Sequence, residues 1–150
     1  MGKVLVIDVD NLDKAVEKIS RVHLDMKPAL SEVGEYLVTE TMFRFDQESD
    51  PTGKKWIQSK AAREEGRKTL TFRGFLRQAV TYNVTENSLE YGVGNFPAYA
   101  KIHQYGGKYG HAVLPARPYL GVNENDEKEI EATLFRYAFK QYERSLTGSL

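Results

Sequence analysis

The spacing of the hydrophobic residues changes along this chain, and that change constrains the fold more than any other sequence feature. Pro28 interrupts the first pattern, because proline lacks a backbone donor and collides with the preceding helical turn. The pattern therefore predicts two helices, over residues 11–24 and 28–45. Their shared face recurs every three or four positions and consists of Leu12, Val16, Ile19, His23, Met26, Leu30, Val33 and Leu37.

The middle of the chain has the period of two that is typical of strands. Apolar and polar residues alternate over residues 80–84 and again over 89–93, with a turn-forming segment between them. This spacing predicts a β-hairpin. A short helix is predicted over residues 98–105, ended by Gly106 in a left-handed conformation. Other apolar segments predict strands at residues 4–9, 112–114 and 119–122.

A last helix is predicted from about Asn125, because acidic residues fill its first turn, where the helix dipole favours negative charge. Its first apolar stripe consists of Ile130, Leu134, Tyr137 and Ala138. Its second stripe consists of Phe135, Phe139, Tyr142 and Leu146. Either the domain itself holds this helix on two sides, or the second stripe contacts another subunit.

Together these patterns predict an α+β fold: a small, mainly antiparallel sheet packed against a long N-terminal helical region and a C-terminal helix. The chain has 150 residues and no evident linker, so one domain is expected over residues 1–150. Residues 46–69 are polar and rich in turn-forming residues, and they predict an extended loop. Trp56, the only tryptophan, is expected to anchor one end of that loop.

Composition argues against several classes of function. The absence of cysteine excludes disulfides, thiolate nucleophiles and cysteine-based zinc sites. Lys plus Arg and Asp plus Glu both number 21, so bulk attraction to nucleic acid or to an anionic membrane is not expected. No apolar run approaches the ~18 residues that a membrane helix needs. The first residues also lack the features of a signal peptide.

Charge is nevertheless unevenly distributed. Residues 54–77 contain eight basic residues opposed by two acidic ones, whereas residues 124–131 contain five acidic residues and one lysine. These segments are either two solvated surfaces or complementary surfaces on neighbouring subunits. The basic segment is also a candidate for a DNA-facing or partner-facing loop, through Lys54, Lys55, Lys60, Arg63, Arg67 and Lys68.

Asp8 and Asp10 are the one pair of carboxylates with the spacing of a metal site on a strand. Residues two positions apart on a strand place their side chains on the same face, and some magnesium-dependent phosphatases and nucleases hold their metal with such a pair. A metal-dependent DNA-processing enzyme is therefore one alternative function. The other interpretation is that Asp10 or Asn11 caps the first helix. No later carboxylate at the end of an apolar strand completes a metal site.

Histidines and tyrosines offer two further candidates. His103 and His111 lie close in sequence but have no neighbouring carboxylate, so they do not indicate a metal site. Aromatic residues cluster in the segment 97–120. They either stack single-stranded bases or form a protein interface. The balanced charge favours the interface. The tyrosines of this cluster are Tyr99, Tyr105, Tyr109 and Tyr119.

Four short motifs follow one another in a recognisable order. They are Phe45 with Asp50-Pro51-x-Gly53-x-x-Trp56, Leu70-Thr71-x-x-Gly74-x-Leu76-Arg77, Tyr99-Ala100-x-Ile102-His103-Gln104-Tyr105-Gly106-Gly107, and Ala116-Arg117-Pro118-Tyr119-Leu120-Gly121. This order resembles the virion-morphogenesis (tail-completion) family of contractile-tailed phages such as Mu. The resemblance runs over residues 10–140, although residues 57–69 match the family pattern only loosely.

The resemblance implies a structural subunit of the phage neck or tail-completion ring, which caps the tail and mediates head–tail joining. It implies no enzymatic activity and no cofactor. A homohexameric ring is implied, with partners such as the tail terminator and the head–tail connector. Non-specific contact with DNA in the channel is a further possibility, and no membrane partner is expected. The implied location is the virion, after assembly in the host cytoplasm.

We expect contacts with subunits or partners in the segment 97–120 and on the second stripe. Arg117 lies between Ala116 and Pro118, so extended backbone would aim its guanidinium at a bidentate contact. The alternative for Arg117 is an ion pair within its own chain. The full set of expected interface residues is Trp56, Tyr99, His103, Tyr105, Arg117, Tyr119, Phe139 and Tyr142.

Overall fold

A computed structural model describes residues 2–11, 14–15, 23–95 and 98–148. A three-stranded antiparallel sheet lies at its centre, with the strand order β1–β3–β2. These strands are β1 (Gly2–Asp8), β2 (Val80–Val84) and β3 (Ser88–Val93). The predicted strand at residues 4–9 and the predicted hairpin are thus confirmed. Most of the predicted helix over residues 11–24 lies outside the described residues.

Helix α1 (Lys27–Gln47) covers the sheet. Pro28 lies in its first turn, where the missing donor costs nothing, and the helix predicted over residues 28–45 is confirmed. Its buried face includes Leu30, Val33 and Leu37. A Cβ added to Gly34 would lie 2.3 Å from the ring of Tyr82, so a glycine here lets the helix approach strand β2 closely.

Helix α5 (Glu124–Thr147) packs against α1. Asn123 and Asp126 form a capping box, in which each side chain accepts a backbone N–H of the other at 2.9 Å. Ile130 is buried in the core, and Leu134, Tyr137 and Ala138 pack against that core. The predicted last helix and its first stripe are therefore confirmed, and so is the α+β class.

The remaining elements are short. They are helices α2 (Lys60–Glu65), α3 (Phe75–Gln78) and α4 (Ala98–Tyr105), and a hairpin of β4 (Gly107–Tyr109) with β5 (Ala112–Leu114). Gly106 follows α4 with a φ of 73°, as expected for a left-handed cap. No helix among the described residues is long and apolar enough to cross a lipid bilayer.

Two predictions of local structure were wrong. Residues 119–122 do not form a strand. The segment expected to be an irregular loop over residues 46–69 begins within α1 and contains α2, whose first turn is capped by the Ser59 hydroxyl accepting from the N–H of Ala62 at 3.1 Å. It also contains a turn closed by an isolated bridge between Ser49 and Lys55.

Candidate functional site

Residues 117–121 are extended, and their backbone groups are bound by side chains from elsewhere in the chain. The Gln104 amide oxygen accepts from the N–H groups of Tyr119 and Leu120 at 3.1 and 3.0 Å. The Gln104 amide nitrogen donates to the carbonyl of Leu120 at 2.9 Å. Because a strand would need these same groups for a ladder, buried Gln104 explains why the apolar segment is not a strand.

Arg44 fixes the end of the same segment. Its guanidinium donates to the carbonyl oxygens of Tyr119 and Gly121 at 3.3 and 2.8 Å and forms an ion pair with Asp126 at 2.7 Å. The Asp126 carboxylate also accepts from the Tyr36 hydroxyl at 2.9 Å. Burial and this hydrogen bond raise the pKa of Tyr36 above its usual range. α1, the 117–121 segment and α5 are thus held by one buried polar network.

Three of the expected interface residues are buried within the chain itself. Trp56 packs edge-on against Phe45 with ring centroids 5.6 Å apart, and its indole N–H donates to the carbonyl of Pro118 at 2.8 Å. Tyr119 is fully buried, and its hydroxyl donates to the carbonyl of Ala100 at 3.2 Å. We therefore correct the expectation for Trp56, Arg117 and Tyr119: these side chains bond within the chain and expose less than a tenth of their surface, so they offer little contact area to a neighbouring molecule or a stacked base.

Arg117 forms no ion pair with the described part of the chain, so the alternative expected for it is not observed. Its Nε donates to the carbonyl of Ile57 at 2.6 Å, and its backbone N–H donates to the carbonyl of His103 at 2.7 Å. Desolvation by burial lowers the pKa of the Arg117 guanidinium from its usual value. Arg117 therefore joins the 57–76 region to α4 within one molecule.

These anchors frame an open groove of about 490 Å³. One wall is formed by the segment after α2 and by α3, through Arg67, Leu70, Phe72 and Phe75. The other wall is formed by α4 and the β4–β5 hairpin, through Tyr99, Ile102, Tyr109 and Leu114. Phe72, Phe75 and Tyr109 are each more than half exposed, although the guanidinium groups of Arg67 and Arg73 lie 5.1 and 5.2 Å from the Phe72 ring centroid. An exposed apolar surface of this kind is typical of a binding site.

His103 lies in the groove with an unsatisfied polar atom. Among the described residues, its Nδ1 is the one buried side-chain nitrogen or oxygen that has no hydrogen-bond partner. Burial, followed by the nearby Arg117 charge, lowers the pKa of His103 below its usual value of 6.5. His103 is therefore neutral at neutral pH, and its Nδ1 is an unpaired hydrogen-bonding atom buried beside a mainly apolar groove.

Acidification is expected to destabilise the native chain more than a His103→Gln variant. Since the pKa of His103 is lower in the folded chain, the unfolded chain binds more protons below about pH 6.5. The stability that neutral His103 contributes is complete above that pH and declines as pH falls towards the folded-state pKa. Urea unfolding at about pH 7.5 and about pH 5.5 measures the loss. Exposed His111→Gln is the matched control, and it should lose as much stability as the native chain.

The second stripe is on the solvent-facing side of α5. Phe135 is 70% exposed, and its ring stacks on that of Phe139 with centroids 5.9 Å apart. Phe139, Tyr142 and Leu146 are also exposed. The idea that the domain holds this helix on two sides is therefore wrong for the single chain. Contact of the stripe with another subunit stays a prediction. The same holds for an interface role of Tyr99 and Tyr105, which are also exposed.

Several cations of the basic segment bind acceptors within the same chain. The ammonium group of Lys55 donates to the carbonyl of Gln47 at 2.5 Å, and that of Lys68 donates to the carbonyl of Asp46 at 2.6 Å. Arg67 pairs with Glu65 at 2.5 Å, and Lys60 lies 3.8 Å from Glu64. Lys54 and Arg63 are exposed. Contact of this segment with DNA stays a prediction.

The carboxylates of Asp8 and Asp10 make contacts within the protein. Asp8 accepts the backbone N–H of Asp10 at 2.8 Å, and Asp10 pairs with Lys14 and accepts from Asn87. Asp8 thus accepts an amide at the start of this helical turn, whereas the expected cap by Asp10 or Asn11 involves residues 12–13, which lie outside the described residues. Among the described residues, no group of three His, Asp or Glu side chains is placed to hold a metal ion.

Sequence reasoning missed the residues that hold the 117–121 segment beside the groove, namely Arg44, Gln104 and Asp126. One signal was available: Arg44 falls on the buried stripe of α1, three and seven positions after Thr41 and Leu37. A charged residue on an apolar face indicates a buried partner. The partner itself, Asp126, lies in the acidic segment, which the sequence assigned either to a solvated surface or to a contact with a neighbouring subunit, and to no buried pair.

Comparisons with known proteins agree on one family. Residues 7–138 match the family described as the phage virion morphogenesis family. "Putative capsid assembly protein G" of Escherichia phage Mu is 30% identical over 141 residues, covering 84% of this chain and 87% of that protein. "Mu-like prophage FluMu G protein 1" of Haemophilus influenzae is 28% identical over 132 residues, covering 86% and 90%. No solved structure matches this chain.

Proposed function

The chain belongs to the phage virion morphogenesis family, and we propose that it is a structural subunit of the neck or tail-completion ring. In this proposal it caps the tail and mediates head–tail joining, as one copy of a homohexameric ring. Tail terminator and head–tail connector proteins are the proposed partners. The family and the name of the Mu relative support the broader role in phage assembly. The protein is proposed to act without a catalytic step and to reside in the neck of the virion.

The exposed apolar groove is the observation that carries this proposal. Its aromatic walls and the second stripe of α5 are two separate surfaces that a lone soluble chain has no reason to expose. The buried network of Arg44, Gln104 and Asp126 uses its polar groups to fix the backbone around the groove. A fixed backbone favours docking, because the groove keeps the same shape before and after a partner binds.

The basic segment is proposed to contact a neighbouring neck protein. Several of its cations already donate to carbonyls or carboxylates of the same chain, which leaves fewer of their donors free for DNA phosphates. The balanced net charge of the chain also favours a protein partner over DNA. A salt-dependent contact with DNA would instead require these internal bonds to open.

A Tyr105→Ala variant is expected to fold normally and to fail in head–tail joining. Tyr105 is 65% exposed at the end of α4, so truncation removes contact area for a partner without opening the core. The test supplies the variant to a phage that lacks the gene and counts joined particles by electron microscopy. We expect a drop of about tenfold or more, as for an aromatic interface anchor.

The matched control is Phe43→Ala, which truncates a ring of similar exposure on α1, outside the 97–120 segment. It should give normal yields of joined particles. If heads and tails join normally with Tyr105→Ala, or if the missing gene leaves joining intact, this function is wrong.

A further inference from the structure

We infer that the groove receives the second stripe of α5 from a second copy of this chain, in a head-to-tail contact. This inference rests on the proposed function and names the partner of the groove. No residue of α5 lines the groove, so the two surfaces are separate patches on one molecule. A contact between unlike patches is heterologous, and its repetition gives a ring or a filament.

The two surfaces match in apolar character. The second stripe presents three aromatic side chains and a leucine in one line, because its members are three or four residues apart on a helix. The groove is an open trough with aromatic side chains on both walls, including Phe72, Phe75 and Tyr109. Rings that meet rings can adopt edge-to-face or offset packing, which adds to the gain from burial.

Charge complements the apolar match and sets the orientation. Residues 60–73, which form α2 and one groove wall, carry five basic and two acidic residues. On α5, Glu131 precedes Phe135 by four positions and Glu143 follows Phe139 by four, so both flank the second stripe. Two basic residues also flank the stripe, and both are paired: Lys128 with Glu124 at 3.3 Å, and Arg136 with Glu32 on α1. A net positive wall therefore faces a net negative helix, which favours this pairing over groove against groove or stripe against stripe.

One polar group on each surface completes the match. The Nδ1 atom of His103 is buried without a partner in the single chain. Tyr142 supplies the one hydroxyl of the second stripe. A phenol can donate or accept, so it pairs with either tautomer of a neutral imidazole. In the assembly the His103 ring turns so that Nδ1 faces the groove, and the Tyr142 hydroxyl of the next copy bonds to it.

The size of the surface predicts a weak contact. The exposed parts of the stripe side chains amount to a few hundred Å², on the order of one or two fully buried aromatic residues. A stable interface buries about 800 Å² on each partner. A single contact is therefore expected to form at high concentration, whereas ring closure gives each copy two contacts at once.

The test uses two variants of the full chain, each blocked on one surface. Phe139→Asp blocks the second stripe and Tyr109→Asp blocks the groove, and both positions are exposed enough for the fold to survive. Sedimentation velocity from about 10 µM to about 1 mM measures assembly. We expect the native chain to form assemblies larger than a dimer and each variant alone to stay a single copy. An equal mixture should form two-copy complexes, because one intact groove meets one intact stripe.

Three outcomes overturn the inference. A native chain that stays a single copy at about 1 mM shows that the groove serves another partner. Dimers of Tyr109→Asp alone show that stripe meets stripe. Failure of Phe43→Asp to assemble shows that exposed apolar residues in general drive association, since Phe43 lies on neither surface. Normal joining by Phe139→Asp in the phage assay leaves the proposed function intact and removes only this contact.

Coupling between His103 and Tyr142 gives a second test. Tyr142→Phe should weaken assembly of the native chain about fivefold, as the loss of one buried hydrogen bond does. The same change in a His103→Ala background should have no further effect, because the partner atom is already gone. Equal effects in both backgrounds rule out this bond. Circular dichroism of each variant confirms that it is folded.

Discussion

An Arg44→Met variant is expected to lose about 3–5 kcal/mol of unfolding free energy. Arg44 is 6% exposed and its ion-pair partner Asp126 is 1% exposed, so the pair is shielded from water. Removing the guanidinium leaves a buried carboxylate and two buried carbonyls, of Tyr119 and Gly121, without this donor. The loss follows from these stranded groups more than from the ion pair itself.

The measurement is urea unfolding of the purified chain, with Arg136→Met as the matched control. Arg136 pairs with Glu32, but their side chains are 57% and 41% exposed. Exposed pairs contribute less than about 1 kcal/mol, so the control should be close to native. A double variant, Arg44→Met with Asp126→Asn, should lose less than the sum of the single losses, because it buries no unpaired charge. A loss below about 1 kcal/mol for Arg44→Met contradicts the role assigned to this pair.

Local sequence patterns predicted most of the regular structure. The three-to-four spacing located α1 and α5, and the alternation over residues 80–93 located the hairpin of β2 and β3. Glycine at 106 marked the end of α4. These elements are predictable because burial on one face of a helix or strand imposes its period on nearby residues.

Elements fixed by distant side chains could not be predicted this way. Residues 119–122 have the composition of a strand, but Gln104 and Arg44 bind their backbone groups from elsewhere in the chain. Helix α2 is a different case, because its signals were present: Ser59 as the N-cap and Gly66 in a left-handed conformation as the end. The polar composition of the segment masked them.

The candidate site was only partly predictable for the same reason. Composition could identify a cluster of aromatic residues, but it could not separate buried rings from exposed ones. Tyr119 and Trp56 proved to be internal, whereas Tyr99 and Tyr105 face solvent. A ring is buried where a segment distant in sequence packs over it, and composition does not show where that happens. Tyr119, for example, is buried between Ala100 and Phe45, which are 19 and 74 positions away. An interface role for the exposed residues stays a prediction.

Trp56→Ala is expected to lose about 3–5 kcal/mol of unfolding free energy, the usual cost of removing a buried tryptophan. Trp56 is 8% exposed, packs against Phe45 and donates to the carbonyl of Pro118. It is thus the side chain that fastens the 49–70 segment to the 117–121 segment. Its loss leaves a cavity beside Phe45 and frees a buried carbonyl.

The stability loss of Trp56→Ala should have two contributions, one from lost packing and one from the lost hydrogen bond. Trp56→Phe keeps a ring against Phe45 but removes the indole donor, so it should cost less than Trp56→Ala. Exposed Phe72→Ala is the control for truncating a ring in the same region, and it should change stability by less than about 1 kcal/mol. Urea unfolding of all three variants gives the comparison.

Loss of Trp56 should reduce head–tail joining as well as stability. Because the segment that Trp56 fastens continues into one wall of the groove, Trp56→Ala should loosen that wall even at temperatures where the chain is folded. Trp56→Ala is therefore expected to join heads to tails about tenfold less often than Trp56→Phe, the scale expected for losing one interface anchor. Joining at the native level by folded Trp56→Ala would mean that the groove wall takes no part in docking, and that the docking surface lies elsewhere on the molecule.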